Sequence, residues 1–558
     1  MLEGCTPFPK DLEARYVRDG LWRAETIAQA IFESAREHRG VIAAIDSTRT
    51  LTYSELREET DRVAALLSRS GISRGDRIVI QLPNCVEFAS LTLACFEIGA
   101  LPVMALPAFR RAELEYLLSF AEAKAIAIAP KYRDFDYAAI ARELKDALPG
   151  VESIFSTAPA DGCISLHENQ SGPVTAATVG AADPFDVALF LLSGGTTGMP
   201  KLIPRTHADY LYNAREAARV SGLTPQSRLL IALPAEHNFP LACPGLFGAL
   251  LIGATAVFSQ STNAAELAET IRREQITHLP CVPAVAISLL DLPQSASGDL
   301  ASLQVITIGG QRLQEPTARN LKRAFPHVTV QQVLGMAEGL LCYTRLDDPD
   351  ETTFTTQGRP LSSADEIRIV NAEARDIAPG EIGELWCRGP YTIRGYYRAA
   401  ERNREAFSAD GFYRTGDLVR MHPSGNLVVE GRIKDLINRG GEKINAEEIE
   451  AHLLAHPVID LAAVVAMPDP ILGERACAYL TIRDDAEFTL AAMREFLAGR
   501  GVARFKWPER VEIMSVLPLT NLGKIKKTEL RRDIEQKLAR EKAEAADSPT
   551  GRAASANR

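Results

Sequence analysis

The sequence predicts an α/β fold: a large N-terminal domain of two α/β subdomains with mainly parallel sheets plus a β-rich subdomain, and a small α+β C-terminal domain. Three observations support this prediction. The chain has 558 residues, 46% hydrophobic and 24% charged, which is enough for several globular cores. Over the first 430 or so residues, short apolar runs alternate with helical patterns, the order typical of βαβ units. After about Gly358, glycine and proline punctuate short alternating segments, as in antiparallel strands.

In the N-terminal part, a helix is predicted to open at 52–56, where Thr52 or Ser54 can cap it, and to end at Gly71. Its apolar face consists of Leu56, Val63, Ala64 and Leu67. A further helix is predicted over 85–98. Strands are predicted at 77–82, 101–106, 125–129, 187–192, 229–233, 255–258, 278–282 and 305–308. Because parallel sheets bind ligands at the carboxyl ends of their strands, the loops after these runs are candidate sites.

Beyond Gly358, the apolar segments become shorter and are separated more often by glycine and proline. Alternating segments at 367–370, 383–387 and 427–430 predict antiparallel strands. From Ile437 onward, the pattern predicts helices at 446–455 and 490–500 and strands at 461–467, 476–483 and 510–514. This compact α+β domain is placed at 437–540. The last residues, 541–558, have no apolar periodicity and are expected to be a disordered tail.

The charge balance is mildly acidic. There are 62 Lys and Arg against 72 Asp and Glu, a net charge of −10, with a pI near 5.6. Such a field does not attract nucleic acid or an anionic membrane, so neither is expected as a partner. The 9 cysteines show no CxxC pair and no zinc spacing, which is the pattern of reduced thiols, most of them buried.

Two segments bear on localisation. The N-terminus, MLEGCTPFPKDLEARYV, has no apolar core of a secretory signal, which favours a cytoplasmic protein. The run 241–258 carries no charge and is long enough to raise the question of a membrane helix. The residues that interrupt it are Pro244, Gly245, Gly248 and Gly253. We therefore expect a buried helix, a glycine break and a core strand over 254–258.

A glycine-rich loop, LLSGGTTGMPK (191–201), follows one of the predicted strands. Its backbone N–H groups, its hydroxyls and the charge of Lys201 together suit a polyphosphate. It is not a Walker A loop, because its glycines enclose three residues rather than four and Pro200 precedes Lys201. On these residues alone, a turn without a ligand is an equally good interpretation.

Six segments in order resemble the adenylate-forming superfamily of acyl-CoA synthetases, non-ribosomal adenylation domains and luciferases, over about residues 20–535. They are LLSGGTTGMPK (191–201), GGQRL (309–313), LGMAEG (334–339), YRTGD (413–417), GRIKDLINRGGEKI (431–444) and NLGKIKK (521–527). The resemblance implies attack of a carboxylate on the α-phosphorus of ATP, with Mg²⁺ bound and pyrophosphate released. It also implies an adenylate-forming domain over 1–431, a hinge over 432–436 and a C-terminal domain over 437–540 that moves.

A further segment, AEHNFPLACPG (235–245), is similar to the aryl-acid–AMP ligases of siderophore biosynthesis. These enzymes activate salicylate or 2,3-dihydroxybenzoate and load it on an aryl carrier protein. Where this chain has Cys243 and Leu341, the dihydroxybenzoate enzymes typically carry Ser and Val, and the salicylate enzymes carry Cys and Leu. A 3-hydroxyl would lose a partner at Cys243 and collide with Leu341, and an unpaired buried hydroxyl costs about 1–3 kcal/mol. The resemblance therefore implies salicylate.

The resemblance also implies site residues. Lys524 matches the catalytic lysine, Glu338 the magnesium ligand, and His237 the gate over the aryl site. The nucleotide-binding residues implied are Ser193, Gly194, Gly195, Thr196, Thr197, Gly198, Lys201, Gly309, Gly310, Val333, Gly335, Met336, Ala337, Glu338, Asp417, Arg432 and Lys524. The aryl-site residues implied are His237, Asn238, Phe239, Cys243, Gly310, Gly335 and Leu341.

Each of these residues also has a plain structural interpretation. Lys524 belongs to a basic run that is normally a solvated face, and an isolated glutamate such as Glu338 is normally a surface charge. His237 can be a helix cap, Phe239 a core residue, and the glycine pair at 309–310 a turn after a strand.

For the second half-reaction, Lys434 matches the hinge position, and Arg439, Gly440 and Gly441 match the tunnel for an incoming thiol. The thiol implied is the phosphopantetheine of an aryl carrier protein of a non-ribosomal peptide synthetase, expected as a separate partner. The alternatives are an aryl-CoA ligase, a 2,3-dihydroxybenzoate–AMP ligase and a nucleotide-binding protein without catalysis. The chain is expected to be a monomer or a homodimer.

Overall fold

The computed structural model describes residues 1–168, 182–193, 200–292, 300–439, 442–470, 472–483, 487–520 and 523–547. Its helices are α1 Lys10–Arg18, α2 Ile27–Glu37, α3 Tyr53–Arg69, α4 Val86–Ile98, α5 Arg111–Phe120, α6 Tyr137–Ala147, α7 His207–Val220, α8 Asn238–Ala242, α9 Gly245–Leu251, α10 Ala264–Glu274, α11 Pro283–Leu290, α12 Glu315–Ala324, α13 Asp350–Thr355, α14 Ala400–Ala406, α15 Ala446–Leu454, α16 Leu490–Gly499 and α17 Lys527–Asp547.

The strands of the first part of the chain are β1 Ile42–Ile45, β2 Thr50–Thr52, β3 Arg77–Gln81, β4 Leu101–Met104, β5 Ala123–Ile128, β6 Lys131–Tyr132, β7 Phe135–Asp136, β8 Ser153–Ser156, β9 Ile164–Ser165, β10 Val187–Leu192, β11 Leu202–Thr206, β12 Arg228–Ile231, β13 Thr255–Phe258, β14 His278–Cys281, β15 Val305–Gly309, β16 Thr329–Gly335, β17 Leu341–Tyr343 and β18 Arg359–Pro360. The later strands are β19 Glu366–Val370, β20 Gly383–Arg388, β21 Tyr413–Met421, β22 Leu427–Arg432, β23 Leu436–Arg439, β24 Glu442–Asn445, β25 Ile459–Asp469, β26 Gly473–Ile482 and β27 Arg510–Ile513.

Two large sheets organise the first part of the chain. Within the described residues, one has nine strands in the order β18-β17-β16-β15-β14-β12-β13-β1-β2, and the other has seven in the order β11-β10-β4-β3-β5-β8-β9. The central pairs of both sheets are parallel, and antiparallel pairs lie at the edges, as between β10 and β11. The predicted α/β class with mainly parallel sheets is confirmed.

The later strands form smaller sheets. Four strands follow the order β19-β20-β21-β22, and β23 to β27 build a five-stranded sheet in which β25 and β26 pair antiparallel over their length. The apolar faces of α15 and α16 contribute to the buried cluster on this last sheet, with members such as Ile449, Val464 and Leu497. The predicted strands at 367–370, 383–387 and 427–430 are present as β19, β20 and β22, and the predicted α+β structure of the residues that follow is confirmed.

Contacts divide the chain into two compact units. The first comprises Met1–Arg368, Trp386–Thr415 and His422–Leu427, and the second comprises Ile369–Leu385, Gly416–Met421 and Val428–Arg558. The expected hinge over 432–436 falls on the end of β22, a 3₁₀ turn at Ile433–Asp435 and the start of β23. Rotation about it stays a prediction.

The first helix predicted from the sequence is present as α3. Thr52 accepts a hydrogen bond from the backbone N–H of Glu55, and the Glu55 side chain accepts one from the backbone N–H of Thr52, so a capping box opens α3. All eight strands predicted before residue 310 are present, with ends shifted by at most a few residues. These strands are short apolar runs, a signal that depends on neighbouring residues only.

One segment was predicted wrongly. Helix α17 continues through Asp547, whereas the disordered tail was expected from residue 541. The letters EKAEAAD lack an apolar stripe but consist mostly of strong helix formers, and intrinsic propensity extends a helix that has already begun. The remaining tail, 548–558, lies outside the described residues.

The uncharged run 241–258 is buried inside the first unit. It contains the end of α8, all of α9 and strand β13, so the expected helix, break and core strand are confirmed. Among the described helices, none combines the length and the apolar composition that crossing a bilayer requires. All nine cysteines are free thiols, and all but Cys5 and Cys163 are buried, as expected.

Candidate active site

The glycine-rich loop leaves the seven-stranded sheet between β10 and β11. The backbone N–H of Ser193 donates to the carbonyl of Lys201 at 3.0 Å, and the backbone N–H of Lys201 donates to Ser193 Oγ at 3.0 Å. The two ends of the loop are therefore held together where the antiparallel ladder stops. The predicted phosphate-binding residues Gly194, Gly195, Thr196, Thr197 and Gly198 lie outside the described residues, and their role stays a prediction.

Lys201 and Glu338 meet at one aromatic cluster. Lys201 Nζ lies 5.0 Å from the centroid of the Tyr396 ring. The Tyr396 hydroxyl donates to Glu338 Oε1 at 2.8 Å and lies 3.0 Å from Tyr413 Oη. Glu338 is only 9% exposed, so the interpretation as a surface charge is wrong. Desolvation and the charge of Arg402 lower the pKa of Lys201, while Glu338 opposes that shift.

Close packing explains two glycines at the carboxyl ends of β15 and β16. A Cβ atom on Gly309 would lie 2.4 Å from Val333 Cγ1, and one on Gly335 would lie 2.5 Å from Leu341 Cδ2. Gly310 follows with φ of +85°, a conformation that favours glycine and also explains the residue as a turn. The predicted nucleotide-binding residues Gly309, Gly310, Val333 and Gly335 are therefore neighbours at the carboxyl ends of two adjacent strands, where parallel sheets bind ligands.

The predicted aryl site begins at helix α8. Asn238 is its first residue; its Oδ1 accepts a hydrogen bond from Tyr210 Oη at 2.9 Å, and its Nδ2 donates to the carbonyl of Met336 at 3.4 Å. An amide carries two N–H donors, so within the described residues one N–H of Asn238 is left that a ligand could use. His237 occupies the N-cap position of α8, as the helix-cap interpretation expects, but its side chain makes no capping hydrogen bond to a described residue.

Cys243 and Leu341 belong to one buried apolar cluster. They are 1% and 2% exposed and share this cluster with Val333, while the half-buried Phe239 packs against it. Asn213 Nδ2 lies 3.6 Å from Cys243 Sγ. Burial raises the pKa of the Cys243 thiol to about 12, which keeps the thiol neutral at physiological pH. The structure therefore brings together the two residues expected to discriminate between aryl acids.

A second group of predicted residues lies in the second unit. Arg432 Nε is 2.8 Å from Asp417 Oδ1, and Asp417 is 5% exposed. Partial burial lowers the pKa of Lys524 to about 8; the charges of Arg432 and Lys434 add to this shift, and that of Asp417 opposes it. Lys526, by contrast, is paired with Glu529 at the surface. The basic run 524–527 is therefore not a uniformly solvated face.

The residues expected to serve the second half-reaction are only partly described. Lys434 lies in the 3₁₀ turn Ile433–Asp435, and Arg531 Nη2 donates to its backbone carbonyl at 3.4 Å. Arg439 Nε donates to Glu509 Oε1 at 2.7 Å. Gly440 and Gly441 lie outside the described residues, so the thiol tunnel stays a prediction.

Several residues that contact the predicted site were missed from the sequence. They are Arg205, Tyr210, Asn213 and Tyr396, which bond to Ala337, Asn238, Cys243 and Glu338 respectively. The available signal was the Thr206–Asp209 capping box that starts α7, because it predicts a helix on which 210 and 213 lie one turn apart on the same face. Tyr396 gave no comparable signal.

The chemistry of Glu338 fits the magnesium ion that the resemblance implies. Its Oε1 accepts from Tyr396, and the carboxylate retains lone pairs for a hard cation. The described residues contain no group of three or more His, Cys, Asp or Glu placed to hold a metal. A single carboxylate nevertheless suffices for Mg²⁺ that binds mainly through water and substrate phosphates.

The chain belongs to the AMP-binding enzyme family. The model of that family matches residues 31–397, and the model of the AMP-binding enzyme C-terminal domain matches 448–524. The resemblance to the adenylate-forming superfamily is confirmed.

Within the family, several relatives have the names of aryl-acid ligases. The chain is 45% identical to the 2,3-dihydroxybenzoate-AMP ligase of Bacillus subtilis, over 96% of this chain and 99% of that protein. It is 42% identical to the salicyl-AMP ligase / salicyl-S-ArCP synthetase of Mycobacterium tuberculosis, over 96% of this chain and 95% of that one. The apo structure of Mycobacterium smegmatis MbtA matches with a TM-score of 0.73 at 42% identity, covering 95% of this chain and 98% of that one. The resemblance to the aryl-acid–AMP ligases is confirmed as well.

Proposed function

We propose that this protein activates salicylate with ATP to salicyl-AMP and then transfers the salicyl group to the phosphopantetheine thiol of an aryl carrier protein in siderophore biosynthesis. The observation that carries the proposal is the position of Lys524, which is half-buried and electrostatically coupled to the Asp417–Arg432 pair. A lysine in that position can place an ammonium group beside a nucleotide whose ribose Asp417 holds. The two relatives named above support aryl-acid adenylation but differ in the aryl acid that each name gives.

The first half-reaction brings two anions together. A carboxylate oxygen of the aryl acid forms a bond to the α-phosphorus of ATP, the bond to the β-phosphate oxygen breaks, and pyrophosphate leaves. Charge accumulates on the pentacoordinate phosphorus, so fixed cations and oriented dipoles lower the barrier. In this proposal Lys524 neutralises the carboxylate and the α-phosphate, and Lys201 stabilises the β- and γ-phosphates. Mg²⁺, when bound at Glu338, neutralises phosphate oxygens.

The aryl pocket supports salicylate over 2,3-dihydroxybenzoate. Cys243 offers a neutral thiol, a weak hydrogen-bond partner whose sulfur already faces Asn213. The Leu341 side chain fills the space against Gly335. A 3-hydroxyl would enter this surface without a good partner, whereas the 2-hydroxyl can use the remaining N–H of Asn238.

In the second half-reaction, the thiol attacks the carbonyl carbon of salicyl-AMP. A C–S bond forms, the C–O bond to AMP breaks, and the thiol proton is lost to solvent. We propose that rotation at Lys434 withdraws Lys524 and admits the phosphopantetheine arm beside Arg439. Two domain orientations then complete two different sites in turn. The carrier protein as acceptor is supported by the salicyl-S-ArCP synthetase relative.

The test is ATP–pyrophosphate exchange with salicylate, 2,3-dihydroxybenzoate and benzoate. We expect the highest kcat/KM with salicylate. If kcat/KM is highest with 2,3-dihydroxybenzoate, that acid is the substrate instead of salicylate. No exchange with any aryl acid would favour a nucleotide-binding protein without catalysis. Thioester formation is then compared between coenzyme A and a phosphopantetheinylated aryl carrier protein, and faster transfer to coenzyme A would make the protein an aryl-CoA ligase.

A further inference from the structure

One guanidinium of the first unit is completely buried. Arg205, on β11, is 0% exposed. Its Nε donates to Asp209 Oδ1 at 2.8 Å, and Asp209 is itself 1% exposed. Its other two nitrogens donate to three acceptors: Nη1 to the Ala337 carbonyl at 3.1 Å, and Nη2 to the Tyr391 carbonyl at 3.2 Å and to Asn213 Oδ1 at 3.5 Å. Every nitrogen of this guanidinium therefore has a partner.

The three acceptors each lead to a different part of the candidate site. Ala337 directly precedes Glu338. Asn213 donates from its amide to the carbonyl of Ala242 at 2.7 Å and lies 3.6 Å from Cys243 Sγ.

The third acceptor, the carbonyl of Tyr391, leads to Leu341. The hydroxyl of Tyr391 donates to Asp365 Oδ2 at 2.5 Å and accepts from the backbone N–H of Leu341 at 3.4 Å. One side chain is therefore connected to the predicted metal ligand and to both residues expected to select the aryl acid.

Stability alone is a poor explanation for such a residue. The desolvation free energy lost when an ion pair is buried is about as large as the attraction between the two charges. A well-packed apolar pair of similar volume is often as stable. An apolar pair, however, cannot hold surrounding groups in place through directed hydrogen bonds. The planar guanidinium has five N–H donors in fixed directions, whereas the ammonium of lysine is a compact point of charge and cannot reach acceptors on several sides.

We propose that Arg205 is a positioning residue that sets the turn before Glu338 and the Cys243–Leu341 wall of the aryl pocket in one geometry. The Asp209 carboxylate holds the guanidinium in place, and Asp209 is itself held by the capping box with Thr206 at the start of α7. The inference rests on the proposed adenylation of an aryl acid. It adds that selectivity among aryl acids depends on a residue that does not touch them.

The test uses Arg205→Lys, with Arg49→Lys as the matched control. Arg49 also pairs with two carboxylates of the first unit, Glu59 on α3 and Glu87 on α4. Exchange is measured with salicylate and with 2,3-dihydroxybenzoate, the Kd of ATP and of salicylate by calorimetry, and the Tm of each protein.

We expect the Tm of both variants to be lower than that of wild type. Arg205→Lys alone should lower kcat/KM for salicylate about 100-fold, since about tenfold is lost for each buried hydrogen bond broken, and should change the ratio of the two aryl acids at least about fivefold. A variant that loses Tm but keeps the ratio, kcat/KM and both Kd values within twofold of wild type would overturn the inference.

A second variant covers the case in which Arg205→Lys does not fold. Asn213→Asp keeps an acceptor for Arg205 and loses the donor to Ala242 and Cys243, so it should change the aryl-acid ratio while the Kd of ATP stays constant. An unchanged ratio in Asn213→Asp would also overturn the inference. Failure of the proposed function is a different result, in which the wild-type protein shows no exchange with any aryl acid; the Kd comparison then still decides on Arg205.

Discussion

Changing Cys243 to Ser and Leu341 to Val together tests which surface of the protein selects the aryl acid. Both side chains are buried in the same cluster, and Leu341 fills the space that a Cβ atom on Gly335 would otherwise occupy. The double change shortens the wall by one methylene and exchanges a weak thiol partner for a hydroxyl that donates and accepts well. We expect preference to move from salicylate toward 2,3-dihydroxybenzoate.

The size of the shift follows from two contributions. Relief of the collision between the 3-hydroxyl and Leu341 is worth about 1 kcal/mol or more, the low end of the cost of overpacking. Pairing that hydroxyl with Ser contributes about 1 kcal/mol, a typical net value for a buried hydrogen bond. Together, about 2 kcal/mol corresponds to an about 30-fold change in the ratio of kcat/KM values.

The assay is pyrophosphate exchange at several concentrations of each acid, with the ratio of kcat/KM as the measured quantity. The matched control is Cys95→Ser with Leu93→Val, which makes the same chemical changes at buried positions of α4, a helix that packs against α2, α3 and β4. That control should lower stability and leave the ratio unchanged. A ratio that moves less than twofold in Cys243→Ser/Leu341→Val would show that these residues do not line the aryl pocket.

Further predictions concern the charged groups of the second unit. Lys524→Ala should lower exchange at least about 100-fold and leave thioester formation from supplied salicyl-AMP within threefold of wild type. Lys526→Ala, the surface control, should change neither rate. Equal losses of exchange in the two variants would refute the role of Lys524. Since the pKa of Lys524 is lowered to about 8, its ammonium form predominates below pH 8 and disappears above it. The exchange rate should therefore be level below pH 8 and fall about tenfold per pH unit above it, and Lys524→Arg should remove that alkaline limb; a limb retained in Lys524→Arg would belong to another group. Asp417→Asn should raise the KM for ATP about tenfold, because it weakens an acceptor for the ribose and leaves Arg432 without its charged partner; an unchanged KM would place the ribose elsewhere. Lys434→Pro should leave exchange unchanged and slow transfer to the carrier protein about tenfold or more. Transfer is measured in single turnovers from preformed salicyl-AMP. A transfer rate equal to that of wild type would place the pivot at another residue.

Much of the fold could be predicted because its signals are local. Strands such as β3, β13 and β15 are short apolar runs, and α3 starts at a capping box that is readable from four letters. Strand β16 was not predicted, although it carries Val333 and Gly335. Its sequence TVQQVLG places Gln331 and Gln332 in the middle of a buried strand, which breaks the apolar pattern.

The two glutamines are tolerated because distant backbone groups satisfy them. Gln331 Nε2 donates to the carbonyls of Val220 and Thr344, and Gln332 Nε2 donates to that of Thr353. A buried amide with partners costs little, whereas one without partners is strongly unfavourable. No window of sequence around residues 329–335 contains those acceptors, so the strand could not be recognised locally.

By itself, the sequence determined the α/β class, most of the strands, the membership of the adenylating family and the identities of residues such as Lys524, Glu338 and Cys243, because all of these reside in short motifs or in local periodicity. Only the tertiary structure decided which charges are buried and which partners they have. Glu338 is a buried carboxylate that accepts a hydrogen bond from Tyr396, the pKa of Lys524 is lowered by its surroundings, and Arg205 bonds to the carbonyl of Ala337, next to Glu338. The reason is physical: desolvation and charge–charge interaction depend on distance through space, and the partners involved lie far apart along the chain.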